Sequence, residues 1–249
     1  MKPWARAAVQ GAACGLVIGF VLLIGGRLWR PEVAAAQAKP ATVPDVVKAR
    51  RFEVVGAAGK VRATMTEADG SAGLSLFDAA GKGRAVLIVN PGGSAGLRLL
   101  DAAGLSRASL GMGPDGSPGL ALSDAAGKPR ATVETGRDGS PILTLSDAAG
   151  KTRASLAVLA DIGSFLALHD PAGKVRATVK VHPDGSSSLS YYDAAGKLRA
   201  TLGGTSEGHS GLVLHDAAEK VRASLLVLPD GEPGMALFDA AGKAVWQSP

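Results

Sequence analysis

Three features of this 249-residue sequence have the residue types and spacing that do chemistry elsewhere. Gly111-Met112-Gly113-Pro114-Asp115-Gly116 fits G-x-G-x-x-G, the loop that sets a dinucleotide pyrophosphate on a helix N-terminus. Gly92-Gly93-Ser94-Ala95-Gly96 fits G-x-S-x-G, where a strand-to-helix turn exposes a serine nucleophile to a histidine and an acid. His169, His182, His209 and His215 offer imidazoles for a metal if the fold gathers them.

Each of these needs surroundings that the flanking residues argue against. Pro-Asp-Gly at 114–116 returns at Pro183-Asp184-Gly185 and Pro229-Asp230-Gly231, so it reads as a hairpin turn rather than the opening of a helix. Ser94 fills a turn slot that also holds Ser71, Ser117 and Ser140. His169 and His215 occupy one repeat position, two repeats apart, and read as surface residues. The Asp-Gly turns lack the dense acidic loop that calcium requires. The expectation is a protein with no catalytic residue, no cofactor and no metal, and so not an enzyme.

One further constellation bears on binding. Arg84, Arg107, Arg130, Arg153, Arg176, Arg199 and Arg222 recur at one position, preceded by Arg62. Alternate strands lie roughly 9.5 Å apart, so these residues would form a cationic row. With Lys82, Lys128, Lys151, Lys174 and Lys197 it could take an envelope polyanion such as a glycan phosphate. The competing reading is that each arginine neutralises a nearby carboxylate and keeps a long sheet soluble. The net charge of only +5, part of it near the N-terminus, favours the second. Aromatic content of 4% leaves few stacking groups for nucleic acid, which is not an expected partner.

These residues belong to a tandem array. Nine copies of Asp-Ala-Ala-Gly-Lys-x-Arg-Ala begin at Gly56, Asp78, Asp101, Asp124, Asp147, Asp170, Asp193, Asp216 and Asp239, every 23 residues from the second onward. Such a period marks a repeat architecture. Within Gly119 to Pro141, Leu120-Ala121-Leu122 and Ala131-Thr132-Val133 alternate with the period of half-buried strands. Asp124-Ala125-Ala126-Gly127 is a turn in which Asp can bond the amide two residues on and Gly can take positive φ. A four-residue loop over Asp124 to Gly127 pairs Ser123 with Lys128 and Leu120 with Ala131. Arg137, Asp138 and Gly139 make a three-residue loop. Each repeat is then one β-hairpin.

This register places Leu120, Leu122, Ala131 and Val133 on one face, with Arg130 and Thr132 on the other. The same holds along the array: Leu143, Leu145, Leu156 and Val158 belong to the apolar face, whereas Arg153, Thr178 and Lys180 point away from it. The fold class is all-β, a tandem hairpin array forming an antiparallel meander. Some 17 or 18 strands at about 4.8 Å each would run roughly 85 Å if flat. The leucine face requires cover, which leaves open a rolled solenoid or barrel, a sandwich, or packing against identical chains.

Residues 1–30 read as a transmembrane anchor, 31–47 as an Ala/Pro-rich linker, and 48–249 as the nine-unit hairpin domain. Ala7 to Gly26 is apolar apart from Gln10, long enough for a bilayer-spanning helix, with Trp4 and Trp29 at its edges. Ala36-Gln37-Ala38 offers the alternative of a cleaved signal peptide. The length of the run and the positions of Arg27 and Arg30 favour an uncleaved anchor. The expected location is the cytoplasmic membrane, single-pass, with a cytoplasmic N-terminus and the repeats exported. Pro31 to Val47 is a semi-extended spacer. Cys14, the sole cysteine, lies in the anchor, so no disulfide forms within the chain. Val245-Trp246 replaces Arg-Ala in the last repeat and reads as a cap.

Val47 to Glu53 (VKARRFE), the DAAGKxRA copies, the DGSPGLAL segment and the Trp-containing end resemble uncharacterised bacterial membrane-anchored proteins whose exported part is a run of such hairpins. That resemblance implies an anchored hairpin array and brings no activity. Tyr192-Asp193-Ala194-Ala195-Gly196-Lys197-Leu198 also looks like a tyrosine-aspartate repeat of the Rhs type, and the spacing is similar to membrane-occupation-and-recognition-nexus repeats. The function expected is a non-enzymatic envelope protein with a structural or interaction role, able to self-associate through its leucine face. The alternative is a module binding anionic glycans through the arginine row.

Overall fold

The structure is a computed structural model and describes residues 46–113 and 115–248. The anchor expected over residues 7–26 lies outside these residues. Among the described residues no helix is long and apolar enough to cross a membrane.

The repeat domain is all-β, a single 18-stranded antiparallel sheet. Its first half comprises β1 (Arg51–Val55), β2 (Val61–Ala68), β3 (Ser71–Phe77), β4 (Gly83–Val89), β5 (Ala95–Leu100), β6 (Ser106–Met112), β7 (Pro118–Ser123), β8 (Pro129–Thr135) and β9 (Pro141–Ser146). The second half comprises β10 (Thr152–Leu159), β11 (Gly163–His169), β12 (Val175–Val181), β13 (Ser187–Tyr192), β14 (Leu198–Gly204), β15 (Ser210–His215), β16 (Val221–Val227), β17 (Pro233–Phe238) and β18 (Ala244–Gln247). Each strand pairs with the next in sequence, so the domain is a pure meander of hairpins.

Both loop types follow from their residues. Between β8 and β9, Gly136 N donates to Ser140 O at 2.8 Å, enclosing the three expected residues Arg137 to Gly139. Between β7 and β8, Asp124 N donates to Lys128 O at 2.9 Å and Gly127 N to Asp124 O at 3.0 Å. Gly127 sits at φ 77°, a left-handed conformation that an L side chain resists. The Asp124 Oδ1 accepts from Ala126 N at 2.9 Å, the local bond expected of that aspartate, and in addition from Lys128 N at 3.0 Å.

This turn corrects the expected register. The loop is three residues, Ala125 to Gly127, rather than four, and the spare residue is taken up by a β-bulge. Ser123 pairs with Pro129 and Leu122 with Ala131, which leaves Arg130 as the extra residue; Leu120 pairs with Val133, not with Ala131. The apolar set survives because the two registers differ by two positions, an even number in a structure of period two. The same shift occurs at each turn of this kind, and the extra residues are Arg62, Arg84, Arg107, Arg130, Arg153, Arg176, Arg199, Arg222 and finally Val245. The opposite edge of the sheet shows no such shift.

Every strand lies beside only its chain neighbours and the leucines of the apolar face stay about half open, so the repeat domain is one layer thick. The expected cover over the leucines is not supplied by other strands of the domain. Leu87, Leu110, Leu156, Leu202 and Leu225 keep about half their surface open, at 49–55%. The most buried strand residues are instead small ones on the other face: Ala157, Ala167, Thr64, Thr178 and Ser190, all at 7% or less. A methyl or hydroxyl flush with the backbone is shielded by its cross-strand neighbours, whereas a leucine standing on a one-layer sheet is not.

Candidate interaction surface

The meander builds the apolar face from two continuous rows. In the first, Met65, Leu74, Leu87, Leu97, Leu110, Leu120, Val133, Leu143 and Leu156 are successive cross-strand partners. The row continues through Leu166, Val179, Leu189, Leu202, Leu212 and Leu225 to Met235. The second row alternates small and large: Ala85, Leu99, Ala108, Leu122, Ala131, Leu145, Ala154 and Leu168, and onward to Ala223, Leu237 and Trp246. Neither row contains a charged residue.

The opposite face carries a row of small polar groups and methyls, including Thr132, Thr144, Ser155, Ala167, Thr178, Ser190 and Thr201. The Ser190 and Thr201 hydroxyls lie 3.4 Å apart. Beside this row Gly96, Gly111 and Gly119 are cross-strand partners and leave a shallow open trough.

The arginine row is occupied internally. Arg84 Nη2 lies 2.6 Å from Asp78 Oδ2, Arg107 Nη1 3.7 Å from Asp101, Arg130 Nε 3.2 Å from Asp124 and Arg153 Nη2 2.5 Å from Asp147. Arg176, Arg199 and Arg222 pair in the same way with Asp170, Asp193 and Asp216. The bulge explains the pairing, since it re-aims the residue it displaces, here back toward the aspartate six residues earlier. Several guanidinium groups also reach the following hairpin: Arg107 Nε donates to Ser123 O at 2.9 Å and Arg130 Nη1 to Ser146 O at 3.3 Å. Arg62, whose repeat starts with Gly56 instead of Asp, donates to Phe77 O at 3.0 Å. Lys82 and Lys174 reach across to turn carbonyls of the next repeat, Ala102 and Ala194, at 2.9 and 3.1 Å. This lysine bridging left no trace in the spacing; only the recurrence of Lys at the turn hinted at it.

The carboxyls of Asp78, Asp101, Asp124, Asp147, Asp170, Asp193 and Asp216 are all held below the usual aspartate range. The largest cause is the backbone N–H four residues on, as from Lys151 to Asp147. Desolvation opposes this, and the paired arginine adds to it.

The residues that suggested chemistry are dispersed. Ser94 lies in a strand-to-strand turn, where Asn90 Nδ2 donates to its Oγ at 2.8 Å. Gly113 and Gly116 close another such turn, with Gly116 N donating to Gly113 O at 3.0 Å. His169 and His215 each set Nδ1 3.3 Å from a carbonyl of their own turn, Gly173 and Glu219. Among the described residues no group of three or more His, Cys, Asp or Glu is placed to hold a metal ion.

No protein-family model and no curated protein matches the chain. Among solved structures it is similar to the TCP domain of SAS-4 (dCPAP) of Drosophila melanogaster, in complex with a proline-rich motif of Ana2 (dSTIL). That match has 10% identity and a TM-score of 0.27, over 79% of this chain and 96% of the other. A mutant Tc holotoxin pore of Photorhabdus luminescens gives 9% identity and a TM-score of 0.22, over 79% of this chain and 13% of the other. At these TM-scores neither likeness carries an argument about fold or function.

Proposed function

We propose that the chain is a membrane-anchored, non-enzymatic protein of the cell envelope whose hairpin array serves as a structural or protein-interaction surface. The observation that carries this reading is the uncovered apolar face: two uncharged rows running the length of a one-layer sheet. A soluble monomer rarely leaves more than 300–600 Å² of contiguous apolar surface open, so a face of this extent points to contact with something else. The apolar run at 7–26, flanked by Trp4 and Trp29, supplies the anchor, and the resemblance to anchored hairpin arrays agrees with it. The alternative of an arginine row for anionic glycans gains nothing from guanidinium groups already bonded to their own aspartates.

Fractionation of cells producing the full chain tests the location. The protein should stay with membranes through alkaline extraction, and protease added outside the cytoplasmic membrane should cut the repeats. Recovery in the cytosolic fraction, or repeats protected from that protease, would overturn the reading.

A further inference from the structure

We infer that the apolar face is covered by a second copy of this chain, packed face to face across a two-fold axis. The inference rests on the interaction reading above and names the partner.

Three observations lead to a second copy. The first is area. More than twenty aliphatic residues of this face keep at least 37% of their surface open. At roughly 50 Å² of apolar surface left on each, the face offers on the order of 1,000 Å² per copy. A stable complex buries about 800 Å² per partner, so the face is large enough to hold a dimer together.

The second is relief. In the alternating row, Ala85, Ala108, Ala131, Ala154, Ala177 and Ala200 fall on every second strand, between the larger Leu99, Leu122, Leu145, Leu168 and Tyr191. Each alanine leaves a hollow, and the hollows repeat about every 9.6 Å. A partner that fills them along the sheet must carry side chains with that same step. This chain's own leucines have it, and a two-fold contact sets each leucine of one copy over an alanine of the other. Sheets packed this way lie about 10 Å apart, the spacing at which inner side chains interdigitate.

The third is length. The chain's other long apolar run, residues 7–26, spans about 30 Å as a helix. Seventeen strand-to-strand steps come to roughly 80 Å. A helix from the chain's own N-terminus is therefore too short to cover the face, and a second sheet is not.

The test is photocrosslinking of the full chain in its membrane, with p-benzoylphenylalanine replacing Leu156 on the apolar face or, separately, its neighbour Ser155 on the other. Position 156 should give an adduct of twice the chain mass, joined to apolar-face residues of the second copy; position 155 should give none. Leu110→Lys, Leu156→Lys and Leu202→Lys together, in a chain carrying the crosslinker at Leu225, should abolish the adduct while leaving the β circular dichroism spectrum unchanged. Equal dimer yields from 155 and 156 would overturn the inference. So would adducts from 156 confined to residues 1–45 of the same chain, to lipid, or to a different protein. An adduct with a different protein overturns only the second copy and leaves the interaction reading standing, which the fractionation experiment tests independently.

Discussion

Lys197 Nζ lies 2.8 Å from Glu219 Oε2, bridging two adjacent turns one repeat apart. The same carboxylate accepts from Leu198 N at 3.2 Å. Glu219 stands where the other full copies of the motif have glycine, and its backbone keeps the left-handed φ of 63° that the turn demands. A residue with a Cβ pays roughly 1–2 kcal/mol there, whereas solvent screening keeps an exposed ion pair weak. Glu219→Gly should therefore raise the Tm by about 2–4 °C. Glu219→Ala keeps the strain and loses the pair, and should lower it. Melts at low and high salt check this, because the deficit of the alanine variant should shrink at about 1 M salt, where the Debye length is near 3 Å.

Acid should loosen the array at one set of turns. The seven motif aspartates from Asp78 to Asp216 have folded pKa values depressed below the ordinary 3.8. A depressed carboxylate contributes stability that is present above its unfolded pKa and lost as pH falls through the folded one. The midpoint of urea unfolding should thus hold steady down to about pH 4 and fall below it. Because the backbone N–H of Lys151 outranks Arg153 as the cause at Asp147, Arg153→Gln should leave most of that residue's pH dependence in place, whereas Asp147→Asn, which removes the titrating carboxyl, abolishes it. An Arg153→Gln profile matching that of Asp147→Asn would show that the ion pair dominates.

The pattern of residues shows where the sequence was readable. Asp124 and Gly127 announce their turn because each has a conformational preference that neighbours cannot mask. The alternation of Leu120, Leu122, Ala131 and Val133 announces the strands and the shared face. The bulge at Arg130 is silent, since a three-residue loop plus one bulged residue leaves four residues unpaired, as a four-residue loop does, and the resulting two-position shift keeps every side chain on its face. A reading based on period two cannot separate them, and so Arg130 passes for an ordinary strand residue when it is the displaced one, folded back onto Asp124. Alternation also identifies Leu156 as apolar-face without saying what lies over it, because burial depends on layers that hydropathy does not encode.

Two glycines at one repeat position should respond oppositely to a methyl group. Gly211 on β15 and Gly234 on β17 are equivalent, 23 residues apart. A Cβ on Gly211 would run into Leu225 O and come within 2.9 Å of Leu226 Cα, backbone atoms of the neighbouring strand that cannot step aside. Gly211→Ala should cost about 1–3 kcal/mol, as overpacking does. Nothing lies within 4 Å of a Cβ on Gly234, so Gly234→Ala should stabilise by about 0.4–1 kcal/mol through the unfolded chain. Chemical denaturation of the two variants gives both signs in one experiment.

The inverted burial of this sheet makes a sharper demand. Ala157, between its cross-strand partners Ile142 and Phe165, is 3% exposed, while Leu156 beside it is 49% exposed. Enlarging the small residue should hurt more than shrinking the large one: Ala157→Leu should cost about 1–3 kcal/mol, at any protein concentration. Leu156→Ala removes atoms that the isolated sheet already leaves half open, so its cost should fall below the 2–5 kcal/mol typical of a buried leucine when the chain is dilute. If a second copy covers the face, that cost should grow as concentration rises, because dissociation then becomes part of unfolding. Denaturation midpoints of both variants across a hundredfold dilution, about two decades of mass action, separate a local packing defect from a lost partner. A Leu156→Ala cost independent of dilution would place the energy of this face within a single chain.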